Sequence, residues 1–167
     1  MPRLVIIRHA KAEAPSEAFA DHARPLAPSG REDAVRLGER LARAGVVPQV
    51  ALVSDAVRAM QTAHLMVGAL PAMDVRSVPE LYEAGRGAYL EALAGLDSSV
   101  EVAATLAHEP SSSALAVWLA GPDSAKAALQ RVVMGLTTSG VAVLDVPAWT
   151  ELDRHVGVLV EVLSGKR

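Results

Sequence analysis

The sequence predicts an α/β fold, a three-layer α/β/α arrangement around a mostly parallel sheet, and three observations carry that expectation. Leu4-Val5-Ile6-Ile7 is a run of four aliphatics, the pattern of a strand covered by helices on both faces. Further apolar runs alternate along the chain with segments of helical spacing, as crossovers in a parallel sheet require. The 167 residues are 51% hydrophobic but only 3% aromatic. That suffices for one core of Ala, Val and Leu in a single domain spanning 1–167.

The first strand runs directly into Arg8-His9-Ala10. Residues 10 to 28 then read as a long loop, punctuated by Pro15, Pro25 and Pro28, and such a loop beside a strand end is often functional. Ser29-Gly30-Arg31-Glu32 has the form of a capping box opening a helix. Its apolar stripe is Ala34, Leu37, Leu41 and Ala44, and Gly45 ends it. Val50 to Val53 is the second strand. Ser54 or Asp55 is expected to cap the next helix, in which Val57, Met60, Val67 and Leu70 recur at helical spacing and Arg58 falls in the first turn. Val75 to Val78 is a weaker third strand and Tyr89 to Leu96 a short helix. Val100 to Leu106 is a fourth strand, running into Ala107-His108-Glu109-Pro110 and a serine-rich helix start. Ala125 to Val133 reads as helix and Val141 to Val146 as strand. Val156 to Leu163 closes the sheet, antiparallel or at an edge.

Composition removes several function classes. A net charge of −3 gives no basic excess to hold nucleic acid. No apolar run approaches the roughly 18 residues of a membrane span, and Met1-Pro2-Arg3-Leu4 does not begin a secretory leader, so a cytoplasmic protein is expected. With no cysteine in the chain, disulfides, thiolate metal ligands and cysteine nucleophiles all fall away.

Parallel strands place their carboxyl ends on one edge of the sheet, where ligands bind in open α/β folds. Arg8 and His9, Arg58, and His108 follow three such ends. Two arginines and two histidines around one point suit a phosphoryl group, whose transfer needs positioning and charge stabilisation above all. Arginine offers forked donors and stays charged, and a helix N-terminus near Arg58 adds its dipole. A neutral His9 has a lone pair for phosphorus. Its reference pKa of about 6.5, pushed downward by nearby arginine charge, keeps that form available. His9 is therefore the expected covalent nucleophile.

Arg8-His9-Ala10, Ser54-x3-Arg58-x2-Gln61-Thr62-Ala63 and Ala107-His108-Glu109-Pro110 together resemble the histidine phosphatase, or phosphoglycerate mutase-like, superfamily. Asp21-x2-Arg24-Pro25-Leu26, Ser29-Gly30 and Glu80-Leu81-Tyr82 resemble its small phosphohistidine phosphatase branch. The resemblance implies a phosphoglycerate mutase-like fold, a phosphohistidine on His9, a phosphate clamp of Arg8 and Arg58, and stabilisation of the transferring group by His108. It implies no metal and no cofactor. Ala10 and Ala107 stand where that family carries glycine, and their extra methyl groups are tolerated wherever φ is negative.

The proton donor is open among Glu83, Glu80, Glu13 and Glu109, with Glu83 favoured because it follows the third strand. Arg24 either binds substrate or pairs with Asp21. His22, His64 and His155 read as exposed or packing residues, Lys11 as a rim charge, and Trp118 and Trp149 as packing. The expected substrate is a phosphorylated protein carrying phosphohistidine. The alternatives are a small phosphorylated metabolite and a phosphate-binding domain without turnover. Phosphate or sulfate is expected to fit the site, and neither nucleic acid nor membrane is an expected partner.

Overall fold

In the computed structural model, residues 1–83 and 85–167 are described. Six strands form one sheet in the order β3-β2-β4-β1-β5-β6. These are β1 (Arg3–Arg8), β2 (Val50–Val53), β3 (Asp74–Ser77), β4 (Val102–Ala107), β5 (Gly140–Asp145) and β6 (Val158–Ser164). β1 to β4 run parallel to one another, whereas β5 lies antiparallel to β1 and β6 antiparallel to β5.

The strand period of two splits the first aliphatic run between two faces. Val5 and Ile7 pack with Leu37 and Leu41 of α1 (Pro28–Arg43) and Ala59, Ala63 and Met66 of α2 (Val57–Met66). Leu4 and Ile6 face the other layer, formed by α3 (Arg86–Ala94), α4 (Ser111–Leu119) and α5 (Lys126–Val133). All four aliphatics are fully buried. At about 25 cal/mol per Å² of apolar surface removed from water, such burial makes the strand a strong local anchor of the fold.

Local signals at the helix starts give way to other contacts. α1 begins at Pro28, with Ala27 as its N-cap and no side-chain cap. Proline supplies the helical φ at this position, so Ser29 lies inside the first turn and the expected capping box does not form. Gly30 is indispensable for a different reason: a Cβ there would lie 1.9 Å from the Lys11 carbonyl oxygen. The same carbonyl accepts the Ala27 N–H at 2.9 Å, so α1 is seated on the chain just beyond His9. α2 is capped by Ala56, not by Ser54 or Asp55. Its buried face is Arg58, Ala59, Thr62, Ala63 and Met66, one step round from the stripe of Val57, Met60 and Val67, because Arg58 is drawn inward. Ala44, at the end of the α1 stripe, is exposed. Among the described residues, no helix is long and apolar enough to cross a membrane.

Candidate active site

Arg8 pairs with Ala107 and Val53 with Leu106 across the parallel strands. His9, Ser54 and His108 therefore emerge side by side, each one residue beyond a strand end. The His9 N–H donates to the Ala107 carbonyl at 3.1 Å and the Ser54 N–H to the Leu106 carbonyl at 3.0 Å, extending the ladder into the site. Ala10 and Ala107 are fully buried, and neither is among the positive-φ residues. The backbone needs no glycine at either place, and the Ala10 methyl packs with Leu26 and Ala34.

His9 is held in one tautomer. Its Nδ1 lies 2.7 Å from the Ala10 carbonyl oxygen, an acceptor only, so Nδ1 carries the proton and Nε2 carries the lone pair. The Arg58 Nε–H donates to that lone pair at 3.3 Å. Burial is the main cause lowering the His9 pKa from 6.5 to about 3. The hydrogen bond to Ala10 opposes the shift, and the charges of His108, Arg58 and Arg8 add to it. The ring is neutral across the physiological range.

His108 lies 5.2 Å from His9, ring centre to ring centre. Its Nε2 is 2.8 Å from the Ser54 hydroxyl, while its buried Nδ1 has no partner among the described residues. Burial first, then the Arg58 charge, lowers its pKa from 6.5 to about 4, against a raising effect from Asp21. Ser54 thus orients a histidine instead of capping a helix.

Arg8 reaches the site from the far side. One terminal nitrogen donates to the Leu136 carbonyl at 2.8 Å, and its buried Nε has no partner among the described residues. Leu136 is itself tied down by Glu109, whose carboxylate accepts the Leu136 N–H at 3.3 Å and the Ser113 N–H at 2.9 Å, together with the Ser113 hydroxyl. Glu109 so links the segment after His108 to the carbonyl that aims Arg8. The Ser139 N–H also donates to the His9 carbonyl at 2.9 Å, joining this segment to the strand end a second time.

Arg58 is 5% exposed, against 8% for each histidine, and it connects the floor of the site to its rim. Nη1 donates to the Asp21 carbonyl at 2.7 Å and Nη2 to the Asp21 carboxylate at 3.1 Å. The Tyr82 hydroxyl donates to the same carboxylate oxygen. Arg24 donates twice to the other oxygen and once to the Glu13 carbonyl. These bonds hold the Asp21 carboxyl well below the usual carboxylate range, the Tyr82 hydroxyl contributing most, and raise the Tyr82 phenol in return. Two further motif residues brace the loop against α2. The Thr62 hydroxyl accepts the Ala10 N–H at 3.1 Å, and the Gln61 carbonyl oxygen accepts the Leu26 N–H at 2.8 Å.

The four residues singled out in the sequence, Arg8, His9, Arg58 and His108, thus meet at one edge of the sheet. Arg24 spends three N–H donors on the loop. Glu83 is exposed and lines the opening beside Tyr82 and His108. Glu13 and Glu80 are exposed too, and the Glu109 carboxylate is committed inward. His64 is exposed. His22 is not a free loop histidine: its Nε2 lies 2.8 Å from Asp55, and its ring meets Tyr82 edge-on at 4.7 Å. Sequence reasoning quoted Ser54, Asp21 and Tyr82 within its motifs without giving them these contacts, and missed Leu136. Nothing marks one backbone carbonyl among many.

Comparison with known proteins yields a consistent set of likenesses. Residues 4–137 match the family model of the histidine phosphatase superfamily, branch 1. The uncharacterized protein Rv1276c of Mycobacterium tuberculosis is 37% identical over 157 residues, covering 92% of this chain and 96% of that protein. Among solved structures, SixA of Nakamurella multipartitia, named as a candidate phosphohistidine phosphatase, has a TM-score of 0.85 at 26% identity and covers 97% and 95% of the two chains. The protein histidine phosphatase SixA complexed with tungstate has the same fold, with a TM-score of 0.77 at 22% identity over 98% of this chain and 97% of that one.

Proposed function

The chain belongs to the histidine phosphatase superfamily, and on that footing we propose that it hydrolyses phosphohistidine on proteins through a phosphorylated His9. The observation that carries the reading is the state of the His9 ring: Nδ1–H is fixed on the Ala10 carbonyl and Nε2 presents a lone pair beside two arginines and a second histidine.

In the first step Nε2 attacks phosphorus, the P–Nε2 bond forms and the bond to the leaving group breaks. Arg8, Arg58 and the unpartnered Nδ1 of His108 supply donors for the equatorial oxygens, where negative charge gathers. A substrate phosphoimidazole whose other nitrogen is protonated leaves as neutral imidazole and needs no enzyme acid. This suits a site at whose opening the carboxylate of Glu83 is exposed. In the second step water attacks phosphorus, the P–Nε2 bond breaks, and the water's proton passes to an oxygen of the phosphate that is released. His9 leaves under the same condition, because its Nδ1–H keeps the departing ring neutral. Substrate and nucleophile are chemically matched.

The test is turnover of a histidine-phosphorylated protein, phosphoglycerates and nucleotide monophosphates by wild type and His9→Ala. Wild type is expected to trap acid-labile phosphate and to favour the phosphoprotein. His9→Ala should trap none and lose on the order of 10⁴-fold or more in kcat. Faster turnover of the phosphoglycerates would replace the proposal with a small-molecule phosphatase.

A further inference from the structure

From the side of His108 a groove leads away across α3 and α4. Its inner lobe, about 510 Å³, is lined by Tyr82, Glu83, Arg86, His108, Pro110 and Ala114 among others. An outer lobe of about 700 Å³ shares Arg86, Pro110 and Ala114 with it and continues to Trp118, Arg154 and His155. The three shared residues border both lobes, which lie side by side and open to solvent, the inner one beginning at His108.

The chemistry changes from one lobe to the other. The inner lobe carries Glu83 and the inward-committed Glu109. The residues lining the outer lobe include two arginines but no carboxylate, in a chain whose net charge is −3; the Arg154 Nε–H donates to His155 at 3.1 Å, which leaves its terminal nitrogens for a ligand. Among the described residues, neither Arg86 nor Arg154 forms a salt bridge. The Arg86 guanidinium stacks 4.3 Å from the centre of the Trp118 ring. Such stacking fixes the planar cation while leaving its N–H edges for a carboxylate. Val133, 63% exposed, adds an apolar wall to the same lobe.

We propose, building on the phosphohistidine reading above, that this groove docks an acidic segment of the substrate polypeptide flanking its phosphohistidine. Arg86 and Arg154 bind the carboxylates, and Trp118 with Val133 covers the apolar parts of the backbone and side chains. A free metabolite would leave the outer lobe unused, whereas a polypeptide emerging from the phosphate site past His108 follows it. Electrostatic pairing of this kind acts on encounter and specificity, and salt screens it.

Two measurements on the full chain separate this idea from the reading beneath it. The first is binding of a fluorescently labelled, unphosphorylated peptide with a central histidine and four flanking acidic residues, followed by anisotropy. The second is turnover of free phosphohistidine and of the same peptide after chemical phosphorylation, beside a counterpart with lysines in place of the acids. Wild type should bind and turn over the acidic peptide about tenfold better than the lysine peptide. Arg86→Glu and Arg154→Glu should each abolish that preference, and Arg154→Glu should leave free phosphohistidine turnover unchanged. Equal binding of the two peptides by wild type, or an unaltered preference in both variants, overturns the groove. If the acidic peptide binds through these arginines while no phosphohistidine is hydrolysed, the docking site stands and the catalytic reading falls.

Discussion

At the floor of the pocket, His9, His108 and Ser54 ride on the ends of parallel strands and are almost wholly buried. At its rim, Asp21, His22 and Tyr82 stand outside the strands and main helices and hold one another by hydrogen bonds and ring contacts. The floor takes its backbone geometry from the sheet ladder, to which its side-chain bonds are added. The rim is a set of mutual contacts and exists only while its partners do. The proposed chemistry, which needs neutral imidazoles at fixed distances, draws on the first.

Arg58 belongs to both regions and, after the His9 nucleophile itself, gives the largest expected effect. Arg58→Ala should lower kcat by about 10²- to 10³-fold, the loss of an electrostatic donor to the transferring group, and should leave Asp21 held by Arg24 and Tyr82 alone. Arg58→Lys tests the division more finely. It keeps the charge but cannot serve His9 and Asp21 with one planar fork, so steady-state rates should recover only in part.

Acid separates the regions by pH. Both floor histidines have folded pKa values below their ordinary 6.5, at about 3 for His9 and about 4 for His108. Below pH 6.5 the unfolded chain therefore binds protons that the native rings refuse, and stability falls as pH falls. Between pH 6.5 and 5 each ring should cost about 2 kcal/mol, as read by urea unfolding, and His108→Asn should roughly halve the slope. The Asp21 carboxylate, also lowered from its ordinary value of 3.8, contributes stability that is present above that value. Its share is lost only as pH falls through the lower folded value, so the rim should outlast the onset of the floor's titration.

The smallest expected effect concerns Glu109, which aims Arg8 at second hand through the Leu136 carbonyl. Glu109→Ala should reduce kcat by about tenfold through misplacement of the clamp, with Glu109→Gln restoring part of it because the amide oxygen still accepts the Leu136 N–H. Inhibition by inorganic phosphate provides the check: a purely structural defect would lower Tm and leave the inhibition constant unchanged.

What the sequence made legible follows the same division. Leu4 to Ile7, Val50 to Val53 and the run before His108 are apolar stretches whose strand identity and parallel order follow from pattern, and their ends carried Arg8, His9 and His108 with them. Arg58 was legible because the first turn of a helix after a strand is a defined position. Ser54 was not, since a serine at a strand end suits a helix cap and a histidine partner equally well, and the fold chose the partner. The Asp21–Tyr82 contact joins residues 61 apart in the chain and depends on how two loops meet. The start of α1 was misplaced because Pro28 opens the helix one residue ahead of the serine expected to cap it.

The bond from His9 to the carbonyl of its own successor, Ala10, also has a regiochemical consequence. With the pros nitrogen tied up, only the tele nitrogen is left to accept a phosphoryl group, so the proposed phosphohistidine at position 9 should be a single isomer, distinguishable by phosphorus NMR from its pros counterpart.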